Sequence, residues 1–354
     1  MKTKISITLL LGALLFSSCE HPMTMETDVH EDGSMDKTIT FEKGDSSLIT
    51  TNIFGIDSTK GWSAKIVELP VERKENGSDK IQYKTVFKKQ FESVDQLNNE
   101  LNTSSDTLFK VKSTFEKKFR WFYTYIHYTE TFLPINRFKM LSPEDYLNEE
   151  DNQFINRLPG EGKAISKADS LYLQMLNVKI GDYYTNMAIF NEEFEILTEL
   201  VKRSNLENKW MDTLLRKKEY IYNHIDKMKG EPDFALQMAD SLHIPLNQEQ
   251  AIKDAPVLAK DLNSRISFMG FANDGKYMNI IHMPWTMINS NADSVAGNTL
   301  IWRPLVTKFL FKEYHMYAES RKLNIWALGI SGLIVLLTIF IWRKPGRSQA
   351  SFKS

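Results

Sequence analysis

The sequence predicts an α+β protein: a β-sheet domain built from both ends of the chain, a helical domain inserted between them, and one C-terminal transmembrane helix. Three observations carry this. Apolar and polar residues alternate at the two-residue period of strands in the first part of the chain and again after residue 261. Between them, apolar residues recur at the three- and four-residue spacing of helices. Residues 323–342 then pass without a single charge. The implied boundaries are 20–133 and 262–320 for the two halves of the β-rich domain, 134–261 for the insertion, 323–342 for the membrane helix and 343–354 for a tail.

A length of 354 residues admits one large or two ordinary domains. Lys and Arg number 44 against 45 Asp and Glu, a net charge of -1, and 25% charged with 42% apolar residues describes a globular chain. Without a basic excess, nucleic acid is not an expected partner. The single cysteine, Cys19, leaves the folded part no thiol for a disulfide, a thiolate metal site or a nucleophile.

Both ends read as membrane ends. Lys2 and Lys4 precede an apolar block over residues 5–16 and then Ser17-Ser18-Cys19, the order of a secretory signal over residues 1–19. Leu15-Phe16-Ser17-Ser18-Cys19 resembles the lipobox of bacterial lipoproteins, which implies that Cys19 is lipidated and becomes the new N-terminus; an uncleaved signal anchor is the alternative. At the other end, residues 325–342 are 18 apolar or small residues. At ~1.5 Å each, with Leu323 and Asn324 before them, they reach across a ~30 Å hydrocarbon layer. Trp326 and Trp342 stand where interfacial aromatics belong, and Arg343, Lys344 and Arg347 follow. The positive-inside rule therefore puts the tail in the cytoplasm and residues 20–322 outside it.

In chain order, Asp32-Gly33 separates two alternating runs as a hairpin turn, and Asn76-Gly77-Ser78 marks a second hairpin between residues 61 and 91. A short helix fits residues 93–101. In the aromatic segment that follows, Phe115, Phe119, Trp121, Tyr123 and Tyr125 share one parity and Phe122, Ile126, Tyr128 and Phe132 the other. This reads as one strand over 108–132 covered on both faces. Trp121, Tyr123 and Tyr125 are the candidate stacking platform for a sugar or lipid, with ordinary core packing as the competing reading.

Ser142-Pro143-Glu144-Asp145 has the grammar of a helix start. Amphipathic helices over 167–202 and 206–228 form a hairpin about Arg203-Ser204-Asn205, the second stopped by Gly230 and Pro232, and shorter helices cover 233–242 and 247–260. Strand periodicity returns at Ile266, runs through Phe268 and Phe271 to a turn at Asn273-Asp274-Gly275, and continues through Tyr277, Asn279, Ile281 and Met283. Residues 312–320 form a last strand that feeds the membrane helix.

Met283-Pro284, Asn289-Ser290-Asn291, Gly297-Asn298-Thr299 before Trp302, and Ala318-Glu319-Ser320-Arg321 ahead of a terminal membrane helix resemble the LppM-type family of bacterial membrane lipoproteins. Cys19 and Asp32-Gly33 extend the resemblance. It implies a β-rich extracytoplasmic domain at the membrane. Pro284-Trp285 replaces the family's Pro-Gly, and the helical insertion is additional. The family offers no catalytic residues to carry over.

The chain has no Gly-x-Ser-x-Gly, His-Glu-x-x-His, P-loop or dinucleotide signature, and no two of its seven histidines stand at i, i+4. His127 and His282 lie in expected strands and are the histidines that a fold might bring together. The acidic run Glu26, Asp28, His30, Glu31 and Asp32 lacks calcium-loop spacing. The expectation is a non-enzyme without metal or cofactor. It would be a tethered binding or scaffold protein of the bacterial cell envelope, in the cytoplasmic membrane, with membrane lipid and another envelope protein as partners. The alternative is a lipid or hydrophobic-ligand binder using the aromatics of residues 115–128.

Overall fold

A computed structural model describes residues 21–44, 56, 58–69, 82–102, 110–224, 234–273 and 275–343. Cys19, Asn76-Gly77-Ser78, Gly230, Pro232, Asp274, Lys344 and Arg347 fall outside the described residues.

Alternation sends Met23, Met25, Thr27 and Val29 to one face of β1 (His21–Val29), and Met35, Lys37, Ile39 and Phe41 to the same face of the antiparallel β2 (Met35–Gly44). Gly33 in the turn between them has φ +92° and lies so close to the Phe115 ring that a Cβ would stand 3.1 Å from it. Only glycine meets both conditions without strain. β3 (Ser63–Leu69) and β4 (Gln82–Phe91) form the second antiparallel pair, and α1 (Val94–Asn102) is the expected short helix.

The expected single strand over 108–132 is two: β5 (Val111–Phe119) and β6 (Tyr123–Phe132), antiparallel across a tight turn in which the Arg120 amide donates to the Tyr123 carbonyl at 2.7 Å. The reversal explains the double apolar parity. Odd-numbered residues face inward on β5 and even-numbered ones on β6, so Phe115 and the set Ile126, Tyr128 and Phe132 share one inner face, while Tyr123 and Tyr125 face outward. The turn residues Trp121 and Phe122 carry none of the glycine or asparagine that announces a two-residue hairpin.

In the insertion, Pro143–Asp145 forms only a single 3-10 turn, and the α-helix begins later, at α2 (Glu149–Arg157), where Asn148 and Asp151 make a reciprocal capping box. α3 (Lys167–Val178) and α4 (Asn186–Arg203) are joined by a π-helical turn, Lys179–Thr185, within the run expected to be continuous. α5 (Asn208–Arg216), α6 (Lys218–His224) and α7 (Phe234–Ser241) follow. Residues 266–273, expected as strand, close the long helix α8 (Gln248–Asn273). Phe268, Phe271 and Ala272 suit a helical spacing equally well, and in a short apolar run the two periods are not separable. Phe268 and Ala272 carry the end of this helix into the sheet core, while Ala251 and Ala255 near its start close a second core with α4 to α7 around Phe194, Leu197, Leu214 and Met238.

The chain then returns to the sheets through β7 (Gly275–His282), β8 (Thr286–Ser290), β9 (Ser294–Ala296), β10 (Thr299–Trp302), the short α9 (Thr307–Leu310) and β11 (Tyr314–Leu323), and ends in α10 (Ile325–Arg343). One sheet has the order β3-β4-β2-β1-β7-β10-β9, with β1 and β7 parallel; the other has β5-β6-β11-β8. Both ends of the chain thus build both sheets. The open edge of β5 is covered by α1, where the Asn98 amide exchanges bonds of 2.7 Å with the backbone of Ser113 and Asn102 donates to the Val111 carbonyl.

Between the sheets lies an ion pair with no solvent exposure. Lys37 on β2 donates to Glu130 on β6 at 2.5 Å and to Thr27 at 2.8 Å. Glu130 also accepts from Thr27, Tyr128 and Asn279 at 3.1 to 3.3 Å. Burial, with the Glu130 carboxylate beside it, pushes the Tyr128 hydroxyl well above its ordinary range and keeps it a donor. Replacing one partner strands the other charge, so Lys37→Met is expected to cost about 3–5 kcal/mol, while Lys37→Met with Glu130→Leu recovers most of it. Denaturant unfolding of the three variants checks this.

A second charge pair ties α4 and α8 to the segment that follows β6. Glu192 on α4 accepts from Arg265 on α8 at 2.8 Å and from the amides of Lys139 and Met140. Burial alone would raise the Glu192 carboxyl, but Arg265 and the two amides hold it below its ordinary value. A depressed carboxylate stabilises above its unfolded value and loses that contribution as pH falls through its folded one. Acidification below the usual carboxylate range should therefore lower the protection of the Lys139 and Met140 amides relative to their intrinsic exchange rate at each pH, and Glu192→Gln should flatten the dependence.

Candidate membrane-interface site

Among the described residues α10 is the one helix long and apolar enough to cross a membrane, with a mean hydropathy of 2.4 and 6% of its span buried. Its attachment is rigid for a stated reason. Asn324, the single residue between β11 and α10, is only 6% exposed. Its amide donates to the Phe122 carbonyl at 2.8 Å, its side chain donates to the carbonyls of Arg120 and Trp121, and its side-chain oxygen accepts from Thr124 at 2.9 Å. The joint is thereby bonded to the β5–β6 turn.

The turn in turn lies along the helix. Trp326 stacks on Phe119 with centroids 5.9 Å apart and meets Trp121 edge-on at 5.5 Å. The Trp121 indole donates to Ser331 Oγ at 2.9 Å, and Ala327 is fully covered. Trp121 and Trp326, assigned from the sequence to different roles, therefore belong to one cluster. Trp342 and Arg343 stand exposed at the opposite end of α10. Tyr123 and Tyr125 are 6.3 Å apart on the outer face of the smaller sheet, with the Arg321 guanidinium over Tyr123 at 4.6 Å.

Above the turn, Trp285 lies between the ammonium groups of Lys117 and Lys322, at 5.5 and 5.0 Å from its ring. Lys322 also pairs with Glu31 at 2.7 Å and, by its hydrogen bond and its charge, holds that carboxyl below its ordinary value. The β1–β2 turn is thus tied to the strand that enters α10. Asn324 and Trp285 were given no site role from the sequence. The one available signal was a lone asparagine between Leu323 and Ile325, interrupting an otherwise apolar entry.

The histidines do not converge. His282 on the larger sheet bonds Glu26 at 2.8 Å and Thr299 at 2.9 Å, whereas His127 on the smaller sheet faces Glu319 at 3.4 Å. Among the described residues no three His, Cys, Asp or Glu side chains gather as a metal site. A small hollow beside Ile155, Lys308 and Phe311 holds about 10 Å³, room for roughly one water.

Fold and site together define an α+β protein whose two-sheet body is clamped to one helix able to cross a membrane. No protein-family model and no curated protein matches the chain. The solved folded domain of the LppM protein of Mycobacterium tuberculosis aligns with 86% of this chain and 91% of its own, at 8% identity and a TM-score of 0.27, a weak structural likeness.

Asn324→Ala removes three side-chain hydrogen bonds of the clamp and should cost about 1–3 kcal/mol. Amide exchange confined to residues 121–124 should rise, leaving β1 and β2 protected.

Proposed function

We propose that the chain is a membrane-tethered binding or scaffold module of the bacterial cell envelope. In this reading Cys19 is lipidated, α10 is anchored in the cytoplasmic membrane with Arg343 and Lys344 on the cytoplasmic side, and the insertion recognises another envelope protein. The observation that carries it is an uncovered stripe on α3. Leu171, Met175 and Val178 are 54%, 67% and 50% exposed and, with the exposed Ala168, follow the three- and four-residue spacing of one helix face. The opposite face, with Tyr172, Leu173 and Leu176, packs on Phe154. Isolated surface apolar residues mean little, but a contiguous row fits helix-to-helix or helix-in-groove recognition. A photoreactive residue at Gln174, next to the stripe, should give a discrete adduct in intact membranes that Met175→Glu abolishes. An adduct pattern indifferent to Met175→Glu would sink this reading.

A second reading, lipid binding, draws on a separate observation, the exposed aromatics of the β5–β6 turn. These rings stand exposed on the surface, so the lipid they suit is a bilayer surface.

A further inference from the structure

α10 has 19 residues, ~28 Å at ~1.5 Å per residue, and a hydrocarbon layer is ~30 Å thick. A helix this short has no turn to spare, so the layer must begin close to Ile325. Ser331 lies six residues further in, ~9 Å along the axis. Because Trp121 is hydrogen-bonded to Ser331, its ring shares that depth. The Asn324 clamp leaves the turn no freedom to swing away.

We infer that the β5–β6 turn, with Phe119, Trp121 and Phe122, is inserted into the leaflet on the domain's side of the membrane that α10 crosses. The exposures agree: Phe119 58%, Trp121 45%, Phe122 43% and Trp326 51%, a set of large rings that water would otherwise surround. The strand register supplies the next layer. Lys118, Tyr125 and Arg321 are direct neighbours across β5, β6 and β11 and all face outward. They form a row about two residues, ~7 Å, above the turn. Two cations flanking a tyrosine suit the phosphate level of a bilayer, and Tyr123, with Arg321 stacked on it, lies between the row and the turn. The tyrosines that resembled a ligand platform thereby become an interfacial belt, and the bilayer is the occupant. A domain held at two points, the helix and the wedge beside it, keeps a fixed orientation to the surface.

The inference rests on α10 spanning a membrane, which the functional reading shares, and is independent of any partner of the insertion. The test uses the full chain with Cys19→Ser, reconstituted in phosphatidylcholine nanodiscs. Single cysteines replace Phe122, Lys112 or Ile334 and carry an environment-sensitive fluorophore; circular dichroism verifies folding. Phe122 and Lys112 are both exposed in the domain, near the two ends of the same hairpin, and Ile334 lies within α10. The label at Phe122 should be quenched by aqueous iodide several-fold less than that at Lys112, and strongly by a nitroxide at a shallow acyl position. Equal iodide quenching at Phe122 and Lys112, with Ile334 shielded, overturns the insertion alone. Iodide access at Ile334 as well overturns the anchor itself.

Discussion

The Lys37–Glu130 pair is the constraint on which the two-sheet body depends. Removing both charges from water is expensive, and their attraction repays this only where geometry is good and the remaining donors and acceptors are matched. Thr27, Tyr128 and Asn279 provide that matching from three further strand positions. Because side chains alternate along a strand, slipping β2 or β6 by one residue would turn its charge to the opposite face and leave the other buried alone. Apolar contacts between Met25, Ile39, Ile126 and Met316 tolerate small shifts. The ion pair does not, so it selects one registration of one sheet on the other.

That registration is transmitted to α10 through hydrogen-bonded neighbours. Glu130 fixes β6, β6 pairs with β11 from Phe132 opposite Tyr314 to Tyr123 opposite Leu323, and β11 passes into α10 through Asn324 alone. The β1–β2 turn adds a brace, since Glu31 accepts from Lys322 one residue before Leu323. No flexible linker intervenes between the buried pair and the helix. The placement of Trp121 beside Ser331 is accordingly a property of the whole sheet stack, not of a loop.

The parts of this arrangement that were legible in the sequence are those with local causes. Asp32-Gly33 announces a hairpin because only glycine accepts the turn's backbone there, residues 93–101 and the helical hairpin about Ser204 show their own period, and an uncharged twenty-residue run has few soluble interpretations. What escaped depends on tertiary pairing. Residues 108–132 held apolar side chains in both parities, and without a turn signal at Trp121-Phe122 nothing local distinguishes one two-faced strand from two one-faced strands. Residues 266–273 satisfied helix and strand spacings at once, and packing against the sheet core decided for the helix. Lys37 and Glu130 were readable in principle, since each occupies an inward parity between apolar neighbours. A lone inward charge, however, predicts a partner without saying which of forty-five carboxylates or forty-four cations supplies it.

The site shows the same division between position and chemistry. Nothing in Trp121, Tyr123 or Trp326 taken singly distinguishes core, ligand platform and interface, because an amphipathic ring serves all three. The placement of Trp121 and Tyr123 follows from where the backbone puts them relative to a helix two hundred residues away that carries Trp326. The insertion is less bound by this constraint: α4 to α7 and the start of α8 close a core of their own, and the apolar row of α3 lies uncovered. On the proposed reading, the turn and α10 that would face the bilayer and the α3 row that would meet a partner belong to different packing units. A partner preference carried by α3 would then be free to change while the buried charges and the clamped turn stay the same.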